Sequence, residues 1–162
     1  MQLRQKLMLF SLIFFVLSCS NYDTYKEIQN MYPREDTGIK ELIRIDGYYY
    51  ESSEEVYSPS VFKKDGELKR YSFRFNSHED IQKTLQDLHP HPGYYTIDKD
   101  TIKTKWAFQV YHGQHTIYEE YFVVLSDTTI QRIYYAINDE ESEAGNRSKL
   151  YKFQPFDGSG LK

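Results

Sequence analysis

The chain has 162 residues with one cysteine, sixteen tyrosines, ten phenylalanines and a formal net charge of −4 at neutral pH. That length suits one domain with one core. A mildly acidic balance offers no field for phosphate backbones, so nucleic acid is excluded as an expected partner, and a lone cysteine cannot build a disulfide framework.

The first predicted element is an export signal. Arg4 and Lys6 precede an apolar block from Leu7 to Leu17, which ends at Ser18 and Cys19. That order is a signal peptide's. The block would rise only about 16 Å as a helix, roughly half of a hydrocarbon core, so it is too short for a permanent span. The motif Val16-Leu17-Ser18-Cys19 resembles the lipobox of bacterial lipoproteins. The resemblance implies cleavage after Ser18, diacylglycerol on the Cys19 thiol, and a lipid-anchored place in the cell envelope. Ser20 stands where an acidic residue marks inner-membrane retention in some enteric bacteria, so the resemblance implies the outer membrane. Two or three acyl chains on one residue make a lasting anchor, because each buried methylene contributes about 0.8 kcal/mol. Removing residues 1–18 from 162 leaves 144, and losing Arg4 and Lys6 leaves 18 of the 20 basic side chains against 24 acidic ones.

Residues 19–38 read as the lipidated N-terminus and a tether, with mixed charge, Pro33 and one helical turn near Tyr25 to Met31. Residues 39–162 read as a single β-rich domain. From Leu42 the hydrophobic period is two. Ile43, Ile45, Gly47 and Tyr49 share one face of a first strand, with Arg44, Asp46, Tyr48 and Tyr50 on the other. Asp65-Gly66 signals a hairpin turn. Tyr71, Phe73 and Phe75 then oppose Arg70, Ser72 and Arg74 on a strand with one wet face. Ser77 offers an N-cap, and Ile81, Leu85 and Leu88 make the narrow stripe of a helix over 78–88. Pro90, Pro92 and Gly93 end it, and the stripe suits a cover over one end of a sheet.

Strands return at Tyr94 to Ile97 and at Ile102 to His112, where Ile102, Trp106, Phe108 and Val110 oppose Lys103, Lys105 and Gln109. Three more follow at Thr116 to Leu125, Thr129 to Asn138 and Leu150 to Gln154. The fold class is all-β and mainly antiparallel, an up-and-down meander or barrel of about eight strands with one short helix. Closure is favoured because it removes exposed edges.

Asp46-Gly47-Tyr48-Tyr49-Tyr50, Gly93-Tyr94-Tyr95-Thr96-Ile97, Asp100-Thr101-Ile102 and Ser126-Asp127-Thr128-Thr129-Ile130 together are similar to small lipocalin-like lipoproteins of Gram-negative envelopes. The likeness covers about residues 42–154. It implies a lipocalin-like barrel whose interior takes a small molecule.

Chemistry is otherwise thin. His89 with His91 and His112 with His115 have spacings that metal sites use, but they fall in turns without cysteines or a compact carboxylate set, so no metal is expected. Glu119 and Glu120 are adjacent on a strand and point to opposite faces, so they cannot form an acid–base pair by themselves. The Asp139 run reads as an acidic loop, and no serine elbow, phosphate loop or dinucleotide fingerprint is present. An enzyme is not expected, nor is a cofactor. The aromatic excess remains. Tyr49, Tyr71, Phe73, Trp106, Phe108 and Tyr121 are the candidates to line an interior, where they either fill it or stack on an apolar or sugar-like ligand.

Two functions fit. One is a structural or protein-interaction module that docks to another envelope protein, marked by an exposed patch at Tyr48, Tyr50 and Tyr135. The other is a binder of a small hydrophobic or sugar-like ligand, marked by an open cavity with a few converging polar groups.

Overall fold

Aromatic and polar residues alternate through most of the chain, and the strands they form pair edge to edge until the last meets the first. The computed structural model describes residues 26, 28, 30, 31, 34–52, 56–85, 87–109, 115–142 and 148–156. A 3-10 turn at Ile39–Glu41 leads into β1 (Gly47–Glu51), β2 (Val56–Tyr57), β3 (Ser60–Phe62), β4 (Glu67–Arg70) and β5 (Arg74–Phe75). The helix α1 (His78–Thr84) follows, then β6 (His91–Asp98), β7 (Thr101–Gln109), β8 (His115–Ser126), β9 (Thr129–Ile137), β10 (Glu140–Glu141) and β11 (Lys149–Pro155).

Eight of these strands, β1, β3, β4, β6, β7, β8, β9 and β11, pair antiparallel in chain order. The ring closes where β11 pairs with β1, from Gly47↔Pro155 to Glu51↔Tyr151. The fold is therefore a closed, all-β, lipocalin-like barrel of up-and-down topology. β10 adds a short edge to β9, and β2 pairs with β5 as a separate two-stranded flap.

Gly47 sits at the closing seam because nothing larger fits. An added Cβ would lie 2.0 Å from the Gln154 carbonyl oxygen and 2.6 Å from the Phe153 ring. Backbone at that distance cannot yield without breaking the β1–β11 ladder. Gly47→Ala is expected to cost about 1–3 kcal/mol or more through overpacking, read as a lower urea midpoint. An unchanged midpoint would mean that the seam is not where the barrel closes.

One end of the barrel is plugged. Ile39 and Ile43, from the 3-10 turn and just beyond it, join Tyr49, Phe62, Leu68, Tyr95, Ile102, Phe122 and Ile130 in a buried cluster. Chain leading to the plug is also docked, as the Thr37 hydroxyl meets the Tyr95 hydroxyl at 2.7 Å and the Thr37 amide bonds to Lys64 O. Ile28, expected in the tether, is buried against Ala107 and Ile117 on the outer wall of β7 and β8.

The helix covers the outer wall and not an end. Ser77 caps it as expected, its hydroxyl accepting from the Asp80 amide at 3.1 Å. It ends at Thr84, short of residue 88, with Leu85 as its C-cap. Ile81 and Leu85 pack with Tyr48, Val61, Tyr71 and Phe75 in a second buried cluster. That outer cluster overturns three expectations. β1 begins at Gly47, with Tyr48 facing out under the helix and Tyr49 facing in, and both are buried. The strand expected around 70–75 breaks at 71–73. Its faces are also reversed, for Arg70 is buried in the barrel while Tyr71 and Phe75 pack outside and Phe73 is exposed.

β9 carries a bulge. Its register with β8 shifts between Tyr121↔Tyr134 and Phe122↔Arg132, which throws Ile133 out to solvent. Two residues of β9 three apart in sequence, Arg132 and Tyr135, thereby face the same interior. Among the described residues, no helix is long and apolar enough to cross a membrane.

Candidate ligand-binding cavity

The end of the barrel opposite the plug is not filled. A cavity of about 290 Å³ opens there, between the end of β1, Ser58 ahead of β3, the ends of β4, β7 and β9, and the starts of β8 and β11. Its wall is partly aromatic and partly charged. The indole of Trp106 stacks on the Tyr118 ring at 4.2 Å and 12°, a cross-strand pair set by the β7–β8 register. Phe108 lies beside it, with the His91 ring 4.6 Å away. Tyr135 and Tyr151 complete the ring-bearing wall.

At the centre stands a carboxylate between two guanidiniums. Glu120 is 1% exposed, and Arg70 and Arg132 are 6% exposed, so all three are removed from bulk water. Arg132 Nη1 donates to Glu120 Oε1 at 3.0 Å. The Trp106 indole N–H donates to Glu120 Oε2 at 3.0 Å. Arg70 is held more loosely, with Nη2 at 3.7 Å from Glu120 Oε2, while its Nη1 donates to the Ser60 hydroxyl directly across the β3–β4 ladder. A second ion pair, Lys149 Nζ to Glu51 Oε2 at 2.8 Å, lies at the mouth.

Electrostatics keep the guanidinium charged and the phenols neutral. Burial acts to lower the Arg70 pKa, but the Glu120 charge together with Tyr151 and Glu51 leaves it above the ordinary value. Desolvation, aided by the charge of Glu120, raises Tyr151 and Tyr118. Tyr135 is pushed up to about 12, chiefly by burial. Burial, and then the neighbouring Arg70 charge, lowers His91 and favours its neutral ring. The phenols are therefore donors at neutral pH and none offsets positive charge.

Of the six aromatic residues expected to line the interior, Tyr49, Trp106 and Phe108 do so, and the last two line the cavity. Tyr49 faces inward but lies at the plugged end, its hydroxyl donating to Asp127 O at 2.8 Å. Tyr71 is under the helix, Phe73 is on the surface, and Tyr121 faces out, stacked on Tyr134 at 4.4 Å. The six are not brought together. His91, expected in a turn, opens β6 and accepts or donates at 2.7 Å with the Ser72 hydroxyl. Among the described residues, no three metal-capable groups gather. Cys19, residues 1–18 and His112 lie outside the described residues.

The charged triad was missed from sequence although a signal existed. Glu120 shares strand parity with Tyr118 and Phe122, and Arg132 with Ile130, so each charge interrupts an otherwise apolar face. A carboxylate on one such face and a guanidinium on the next strand are candidates for mutual burial.

The tyrosine patch does not form. Tyr48 is buried, Tyr50 is half-buried with its ring 4.7 Å from His78, and Tyr135 lines the cavity. A barrel of this kind is compatible with a lipocalin-like binder. No family model, no curated protein and no solved structure matches the chain.

Proposed function

We propose that this protein is a lipid-anchored envelope barrel that binds a small molecule in its open end, and that it binds without catalysing a reaction. The observation that carries the reading is the cavity itself: one end of the barrel is packed with side chains, while the other is left hollow and lined by stacked rings and converging polar groups. Eight-stranded barrels are narrow enough to be filled by side chains alone, so an unfilled end sets this barrel apart from a packed one. At about 290 Å³ the space sits at the lower bound of small-molecule sites, which run from about 300 Å³, and suits a compact ligand.

The anchor is supported by the resemblance of residues 16–19 to a lipobox. If Cys19 carries lipid, nine residues lead from it to Ile28, a reach of at most about 30 Å. Ile28 docks beside Ala107 and Ile117, close to the residues that form the mouth, Phe108 and Tyr118.

Native mass spectrometry of the mature protein, released from its own bacterial membranes, tests the binding role. A small-molecule mass excess is expected, and adding the recovered compound back to stripped protein is expected to quench the chain's one tryptophan, Trp106. If the protein comes off bare and Trp106 emission ignores organic acids, sugars and lipids alike, the binding role is refuted.

A further inference from the structure

Charge in the cavity does not balance. Arg70, Arg132 and Lys149 face it against Glu51 and Glu120, three cationic groups to two anionic. Lys149 and Glu51 satisfy each other at the mouth, so the surplus belongs to the inner triad. Within the triad the tight partner of Glu120 is Arg132, at 3.0 Å, and the loose one is Arg70, at 3.7 Å. Buried Arg70 Nε, moreover, has no hydrogen-bond partner among the described residues. A buried guanidinium with an unsatisfied N–H and half a counter-charge is costly to fold around.

Resting on the small-molecule reading above, we propose that the ligand is an organic monoanion with a flat ring or apolar body, its oxyanion held by Arg70 and its body laid against Trp106. A carboxylate or similar oxyanion supplies the missing counter-charge and accepts from the idle N–H. Guanidinium forks suit such groups, and charge-assisted bonds in a site shielded from water are among the stronger polar contacts. The neutral phenols of Tyr135 and Tyr151 add donors and no competing negative charge. The stacked indole of Trp106 offers a flat apolar face for the rest of the molecule. A neutral sugar would leave the surplus charge unmet, and a dianion would overcompensate it.

Two dyes with the same fused-ring body separate the possibilities: anilinonaphthalene sulfonate, which is anionic, and N-phenyl-naphthylamine, which is neutral. Binding is read as energy transfer from Trp106, counted only for the saturable site at which the two dyes compete. The anionic dye is expected to bind the wild-type protein about tenfold more tightly or better. Arg70→Met is expected to remove that preference, while Arg70→Lys retains its sign. Equal binding of the two dyes at Trp106 overturns the anion assignment and leaves the small-molecule reading standing. Failure of both dyes to reach Trp106 overturns the flat-ringed anion assigned to the cavity, and the small-molecule reading is then decided by the native mass measurement. Should Arg70→Met not fold, the wild-type ratio decides alone.

Discussion

Glu120→Gln is expected to destabilise the barrel by about 3–5 kcal/mol, because it removes the one negative charge that lies between two buried guanidiniums. For a domain of this size that corresponds to a fall in Tm on the order of 10–20 °C. The amide keeps the shape of the side chain but only one of its two positions can accept, so the loss reports the charge together with one of the hydrogen bonds from Arg132 or Trp106 and not packing. The Glu79–Lys83 pair on the exposed face of α1 is the natural control, since solvent screens it and Lys83→Gln is expected to leave the melting point unchanged. Thermal and urea unfolding read both variants. If Glu120→Gln melts with the wild type, the triad contributes no more than a surface pair and the charge argument for the cavity falls with it. Replacing all three members by apolar residues of similar size is expected to restore stability, as buried ion clusters generally lose to well-packed hydrocarbon. Such a triple variant would also lose its preference for an anion. Stability restored while binding is lost would assign the triad to recognition.

On the proposed reading, Cys19→Ala is expected to move the protein from the membrane fraction to the soluble one. The hydrophobic block at Leu7–Leu17 is too short to remain as a span, and among the described residues no helix could replace it. Acyl chains are then what holds the barrel at the bilayer, and without the thiol there is nothing to acylate. The barrel itself should fold as before, since its plug, seam and triad all lie well beyond residue 19. Fractionation and intact-mass measurement report the two halves of this expectation. A variant that stays in the pellet, or a wild-type mass showing a bare thiol or an intact Met1, would remove the anchor from the account.

How much of this was legible in the sequence depends on how local each signal was. The Ser77 cap, the Asp65-Gly66 turn and the alternation of Trp106 and Phe108 against Lys103 and Lys105 are decided by neighbours within a few residues. An all-β, antiparallel barrel of about eight strands, with one helix, followed from them. The reversed faces of residues 70–75 were not local. Apolar alternation says that a face is buried and not where, and α1 gives this barrel a second apolar surface on its outside. Tyr71 and Phe75 answer to that surface, so the charged partner Arg70 was assigned to water when it belongs to the interior.

The cavity was likewise a matter of three dimensions. Its residues come from β1, β4, β7, β8, β9 and β11, and no stretch of chain holds more than a few of them. The bulge at Ile133 decides that Arg132 and Tyr135 share an interior, and the seam at Gly47 decides that β11 reaches β1 at all. Topology class, most of the strands and the motif at Cys19 were legible in the sequence alone, because periodicity and short motifs act over neighbouring residues. The hollow end, the outward placing of Tyr48 and the burial of Glu120 between Arg70 and Arg132 were decided only by tertiary structure. Those features depend on which faces close on one another, and a charge is buried only where distant strands bring its partner.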